Sequence, residues 1–352
     1  MTVIDRLRKT GIRRLGSPSS GFRYRTASGR SLPQAELQRI RSLVLPPAWT
    51  DVFISPTPRA SVQAIGRDRA GRWQYRYSPR QDRIREERKR ERLSALLRAL
   101  PSLRARVSHD LRRAGLERER VLAGVVRVLL RAFMRPGSQV YARDNGSYGI
   151  ATLRPKHVQL SNGILTFSYP GKAGKLQVRR IEDPDVAHLV RSLLKDPGRE
   201  LFRYRGSDGQ WIDVRRRHIN EYLKEITGEV FTAKDFRTWA GTLIGACALS
   251  RAGYPSRPTR RALRARISDA MKETAALLGN TPAVCRTSYV CPDVLDAFQR
   301  GTVISEPLTA DELVTASARE LSRLERRLAS LLRTRPARAA AAPPRTHKRS
   351  SV

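Results

Sequence analysis

Cysteine is nearly absent from this chain: Cys247, Cys285 and Cys291 are the three in 352 residues, and no two form a CxxC pair. Three thiols cannot build a disulfide framework, so ordinary buried thiols are expected. Histidine is thin as well, with His109, His157, His188, His218 and His347 too scattered for metal-ligand spacing. No metal site and no cofactor are expected. Long apolar runs are missing too. The longest charge-free apolar stretch, 238–250, has 13 residues, short of the roughly 20 a membrane helix needs. The N-terminal MTVIDRLRKTGIRRL has no continuous apolar core, so it is not expected to be a secretory signal. A Walker loop is also wanting. GKAGK at 171–175 lacks the earlier glycine and the following Ser or Thr that such a loop needs, so ATP use is not indicated.

Acidic residues are the last deficit. Only 32 Asp and Glu face 69 Lys and Arg, a formal charge of +37 with a pI near 11.5. A charge of this size repels itself and calls for a polyanionic partner. Nucleic acid leads, with an anionic membrane surface behind it. The 40% apolar residues and 23 glycines still reach the usual globular range, so the chain folds and is not a basic disordered tail. Its length suggests about two domains.

Residues 1–82 read mostly as short strands and turns. Aromatic and β-branched residues alternate at 52–54, 62–65 and 73–77, with Gly-Arg-Asp-Arg-Ala-Gly as a connecting turn, which predicts an antiparallel sheet. Pro79 and the charge run QDRIREERKRER mark a boundary. A helical period follows, with Leu93, Leu96, Leu97 and Leu100 on one stripe. A second helix spans about 119–134 and ends at Pro136. A small antiparallel β element comes next, in which 157–160 and 164–169 flank an Asn162-Gly163 turn. A third strand is expected at 176–181. The remainder reads as helical, including 236–252 and a leucine-spaced stretch at 313–332, with Trp239 and Val284 in the core. The class is α+β: a β-rich N-terminal domain at 1–82, a mainly helical domain at 83–332, and a disordered basic tail at 333–352.

Several strings carry the chemistry: LPPAWTDVFI, GRDRAGRWQYRYSP, YARDNGSYGIATLRPKHV, KDFRTW and LGNTPAVCRTSYVCP. In this order, from about Gly21 to Tyr289, the chain resembles the type IB DNA topoisomerases in their compact, poxvirus-like and bacterial form. The resemblance implies a bilobed clamp closing around duplex DNA as a monomer. It implies an enzyme that nicks one strand through a 3′-phosphotyrosine, lets the duplex rotate, and reseals it without ATP or metal. Tyr289 takes the place of the nucleophile. Arg135, in the RxG before YARDNGSYG, and Arg237, in KDFRTW, take those of the phosphate-clamping arginines. Lys172, the first lysine of GKAGK, takes that of the general acid. Asn280 stands nine residues before the tyrosine, where many relatives have His. The compact form and Asn280 point to a bacterial source, and with it to a cytoplasmic place on the nucleoid.

Physical chemistry agrees with these roles. Breaking a phosphodiester needs a nucleophile, neutralisation of the non-bridging oxygens, and an acid for the departing oxygen. A phenol, with a reference pKa of about 10, is a reasonable nucleophile and leaving group. Arginines stay charged and fork onto phosphate oxygens. Each residue also has a plainer reading. Lys172 could merely keep a hairpin tip soluble, and Asn280 before Thr281-Pro282 could be a helix cap. Tyr75 and Tyr77 share one strand face, beside Gln74, either packing a sheet or touching DNA. The family resemblance favours DNA contacts there, and Tyr141 is a similar candidate. Two other functions remain open at this stage. A tyrosine recombinase or integrase-like strand transferase shares the Arg-Lys-Arg-Tyr chemistry, and a non-catalytic architectural DNA-binding protein would explain the charge alone.

Overall fold

In the computed structural model, which describes residues 1–229 and 231–333, the period-two segments pair as expected. The N-terminal elements are α1 (Val3–Thr10), β1 (Ile12–Ser17), β2 (Gly21–Arg25), α2 (Gln34–Ser42), β3 (Thr50–Ile54), β4 (Val62–Arg67) and β5 (Trp73–Tyr77). Their strands form one antiparallel sheet in the order β2-β1-β3-β4-β5. Register puts Ile54 opposite Ala64 and Phe53 opposite Ile65, so alternate residues supply opposite faces. Ile12, Val52, Ile54 and Ala64 pack with Ile40 and Leu43 around α2. Val62 and Ile65 pack with Leu7 of α1 on a separate cluster.

The two helices are an addition to the strands-and-turns reading. Thr2 and Asp5 form a reciprocal capping box that starts α1, and Pro33 precedes the first turn of α2. Each helix is short and buries one side chain, Leu7 in α1 and Ile40 in α2.

The charge run beyond Pro79, read as a boundary, lies within a helix. α3 spans Pro79–Leu111; Ser78 caps it through its hydroxyl on Gln81 N–H, 3.2 Å, and proline suits its first position. Two compact units divide within α3, at Met1–Lys89 and from Arg90 onward.

The second unit continues with α4 (Arg118–Ala132), α5 (Gln139–Asn145), β6 (Val158–Ser161), β7 (Ile164–Pro170), β8 (Leu176–Glu182), α6 (Pro184–Leu194), β9 (Arg203–Arg205) and β10 (Trp211–Asp213). It ends with α7 (Arg216–Thr227), α8 (Ala233–Ala252), α9 (Arg260–Leu278), α10 (Pro282–Val284), a π turn (Cys285–Tyr289), α11 (Pro292–Gln299), α12 (Ala310–Thr315) and α13 (Ala318–Arg333). α4 and α8 form its interior. Val121, Leu122, Val125, Val128 and Leu129 are all buried, each such side chain contributing about 1.5–3 kcal/mol. Gly124 lets α4 approach α6, because a methyl there would run into Leu189. β6, β7 and β8 form a three-stranded antiparallel sheet. Asn162 and Gly163, both at positive φ (49° and 78°), make its first turn.

Local departures have local causes. α4 stops before Pro136, where Phe133 turns left-handed at φ 52°. A two-stranded hairpin, β9 with β10, interrupts the region read as helical; three-residue strands are too short to show alternation. The stretch at 313–332 is two helices, because Ser317 and Glu320 cap a fresh start at α13. Val284 is half-buried, not core, since α10 buries none of its residues, whereas Trp239 is fully buried. All three cysteines are buried, and none forms a disulfide among the described residues. No helix among the described residues is long and apolar enough to cross a membrane. Of the tail expected at 333–352, Arg333 closes α13, and 334–352 lie outside the described residues.

Candidate active site

Three helix ends meet in the second unit. Beyond the left-handed turn at Phe133, Arg135 reaches across to the C-terminus of α9. Its guanidinium donates to the Gly279 carbonyl, 2.7 Å, and to Oδ1 of Asn280. Arg237 projects from the second turn of α8 and is only 3% exposed. It donates to the Phe133 carbonyl, 2.7 Å, and the Leu278 carbonyl, 2.9 Å. Both acceptors are at helix ends, where carbonyls lack helical partners and the dipole favours a cation. One arginine thus ties α4 to α9.

Gly279 makes that meeting possible. Its φ of 62° ends α9, with its N–H returned to the Ala275 and Ala276 carbonyls. A side chain there would also collide with Gln177 of β8. Asn280 follows, its N–H on the Ala275 carbonyl, 2.9 Å. Thr281, not Asn280, caps the next helix, accepting from Val284 N–H at 3.3 Å. The Asn280 side chain is therefore free of capping duty. Its oxygen takes a hydrogen bond from Arg135, so its NH₂ must face the other way, where Nδ2 is buried and meets the Cys285 thiol but no oxygen acceptor.

Tyr289 ends the π turn, whose wide ring closes through Val290 N–H on the Cys285 carbonyl, 2.9 Å. The Arg237 guanidinium carbon lies 4.9 Å from the centroid of its ring. Gly241 admits this close seating: a Cβ built there would come 2.7 Å from Tyr289 Cβ. Four of the five candidate catalytic side chains, Arg135, Arg237, Asn280 and Tyr289, are thus brought together.

Lys172 is not joined to them by any hydrogen bond or ion pair among the described residues. It is exposed, in the short turn Lys172–Gly174 between β7 and β8. That turn closes through Gly171 N–H on the Lys175 carbonyl, 2.8 Å. The strand beyond it is fastened to α9, because Arg179 donates to the Leu277 carbonyl at 2.8 Å and to Gln177 Oε1 at 2.9 Å.

The site is strongly positive. Burial, and then the like charge of Arg237, draws Arg135 down to about 10, with Tyr289 and Tyr169 opposing and Arg179 adding to the fall. Arg135 stays protonated at neutral pH. Burial also lowers Arg179, with Tyr169 opposing and Arg237 reinforcing. The buried Tyr169 phenol is pushed up by burial, against the pull of Arg179, Arg135 and Arg237. Burial raises the Cys285 thiol, with Arg237, the Asn280 amide and Arg135 opposing. Arg179 and Tyr169 are members of this cluster that sequence reasoning missed. On a strand of alternating polarity nothing distinguishes Arg179 from its neighbour Arg180. Three donors of this cluster, Nε of Arg237, Nε of Arg179 and Nδ2 of Asn280, are buried without an oxygen acceptor. Buried donors are rarely left so, and together with the guanidinium charges they are suited to an anion.

The candidate DNA contacts are surface features of their own units. Tyr75 is 39% exposed and Tyr141 54%. Tyr75 and Tyr77 stack with centroids 6.1 Å apart, and Gln74 donates to Asp68 at 2.9 Å. The Arg85 guanidinium covers Tyr77 at 4.4 Å.

Over residues 80–300 the chain matches the family model of the eukaryotic DNA topoisomerase I catalytic core. Residues 21–68 match that of the bacterial DNA topoisomerase IB N-terminal domain. It is 33% identical over 294 residues to the DNA topoisomerase 1B of Acanthamoeba polyphaga mimivirus, covering 82% of this chain and 88% of the relative. It is 21% identical over 241 residues to the DNA topoisomerase 1B of vaccinia virus, strain Copenhagen, covering 66% and 71%. Among solved structures, the XerH site-specific recombinase bound to difH matches at a TM-score of 0.33 and 15% identity, over 54% of this chain and 48% of that one. That last likeness is too slight to carry an argument.

Proposed function

This chain belongs to the type IB DNA topoisomerases, and on that premise we propose how its own side chains cut and reseal a strand of duplex DNA. Tyr289 is the nucleophile. Its phenolic oxygen forms a bond to the scissile phosphorus as the bond from phosphorus to O5′ breaks, and the phenolic proton leaves to solvent. Lys172 donates a proton to O5′. Arg135, Arg237 and Asn280 bind the non-bridging oxygens, where negative charge accumulates in the transition state. The phosphotyrosine ester keeps the energy of the broken bond, so the freed 5′-hydroxyl reverses the same steps after the duplex has rotated.

The observation that supports this division is that Arg237 Nε and Asn280 Nδ2 are buried without an oxygen acceptor, with the Arg237 guanidinium against the Tyr289 ring. A phosphate oxygen satisfies both. Lys172 has the least support from geometry. Its role rests on its place at the β7–β8 tip, on a sheet that Arg179 fastens beside the site. Gln74, Tyr75, Tyr77 and Tyr141 contact the DNA outside the cleavage site, through ring faces and an amide. The protein acts as a monomer on the bacterial nucleoid.

Tyr289→Phe tests the central assignment. The ring still packs under Arg237 while the attacking oxygen is gone. Relaxation and covalent adduct should both vanish, with DNA affinity nearly unchanged in a binding titration. An adduct that survives moves the nucleophile elsewhere.

A further inference from the structure

The nucleophile has a seat, and one helix makes it. Along α8, Arg237, Gly241, Thr242 and Gly245 fall at intervals that share a helix face. Arg237 covers the Tyr289 ring, Gly241 lies under its Cβ, and Gly245 lies under Val290, whose Cγ2 a Cβ there would meet at 3.2 Å. Thr242 is fully buried. Its hydroxyl oxygen accepts from Cys291 N–H at 3.1 Å. Its one proton is shared between its own helix, through the Thr238 carbonyl at 2.7 Å, and the Tyr289 carbonyl at 3.0 Å. The hydroxyl therefore grips both peptide groups flanking Val290, and with them the exit of the π turn that carries Tyr289.

Resting on the assignment of Tyr289 as the attacking group, we propose that Thr242 is a positioning residue for the nucleophile, with Gly241 as the floor of its seat. The consequence is geometric. Phosphate-binding Arg237 and nucleophile-holding Thr242 are five residues apart on one rigid helix, so the distance between charge clamp and attacking oxygen is set inside a single element. A loop-borne tyrosine without this grip samples several ring positions, and only one is in line with the leaving oxygen.

The test is single-turnover cleavage at saturating protein, with thermal melting and DNA affinity measured on the same samples. Thr242→Val keeps the shape and removes the hydroxyl; cleavage should slow by roughly 10²-fold, the scale of a misplaced reacting atom. DNA affinity should hold, and Thr242→Ser should recover most of the rate. A substrate with sulfur in place of O5′ should not rescue Thr242→Val, because the defect is on the attacking side. Gly241→Ala leaves the hydroxyl in place and lifts Tyr289 from beneath. It should slow cleavage in the same way, and it serves as the test if Thr242→Val does not fold. Folded Thr242→Val that cleaves at the wild-type rate overturns the proposal, as does full rescue by the sulfur substrate. If Tyr289→Phe, run alongside, still forms adduct, the nucleophile assignment has failed and not merely its positioning.

Discussion

An amide and an imidazole can both donate to a phosphate oxygen, but only one can titrate. Asn280 stands where many relatives have His, and its orientation is set by its neighbour. Arg135 has no acceptor atoms, so the Asn280 oxygen must face it and the NH₂ must face away, where it is buried without an oxygen acceptor. Asn280→Ala should then lose on the order of 10²–10³-fold in cleavage rate, the usual effect of deleting one transition-state donor. Asn280→Asp should be worse than Ala, since it keeps the bond to Arg135 but presents a carboxylate oxygen to the phosphate. Asn280→His should retain much of the rate and add a pH limb near its own pKa, about 6.5 in an unperturbed imidazole. Single-turnover cleavage across about pH 5 to 9 separates these, because the wild type has no such imidazole to titrate. An Asn280→Ala protein as fast as wild type would leave four essential side chains.

Elements explain why some of this was legible in the sequence and some was not. Asn162-Gly163 announced its hairpin, and the apolar filling of α4 and α8 announced buried helices, because these are local signals. The meeting of Arg135, Arg237, Asn280 and Tyr289 was reached through motif resemblance; no periodicity connects residues so far apart. Arg179 and Thr242 carried no signal at all. Their partners, Leu277 and Tyr289, stand 98 and 47 residues away, and their importance lies in backbone carbonyls that any sequence could supply. α2 buries only Ile40 and leaves little pattern, whereas α1 does carry one, with Val3, Ile4 and Leu7 in the same apolar cluster, which the strands-and-turns reading of 1–82 passed over. Lys172, in the β7–β8 turn, makes no hydrogen bond or ion pair to the other four among the described residues. Lys172→Ala should slow cleavage severely on ordinary DNA. Sulfur at the leaving position should largely abolish the defect, because a thiolate departs without a proton. Equal rescue of Arg237→Ala, with none for Lys172→Ala, would show the acid to be elsewhere.

For the whole molecule the governing quantity is charge. A formal +37 was legible at once, but it says only that the partner is a polyanion. It does not separate residues that neutralise phosphates from residues that touch the duplex in other ways. Counterion release makes that separation measurable. Each phosphate neutralised steepens the fall of log K with log salt by about 0.9. A protein making some 6–10 such contacts loses about 10³–10⁵ in affinity between roughly 50 and 200 mM salt. The wild type should fall in that range. Tyr75 and Tyr141 are exposed and carry no cation to neutralise a phosphate, so Tyr75→Ala and Tyr141→Ala should lower affinity at every salt concentration while leaving the slope intact. On a double-logarithmic plot their lines should lie parallel to and below the wild-type line. Lines that coincide with the wild type would remove both tyrosines from the interface. A line of shallower slope would mean that the side chain acts by holding an arginine against phosphate, as Tyr77 holds Arg85 at 4.4 Å, and that its ring meets the DNA only through that charge.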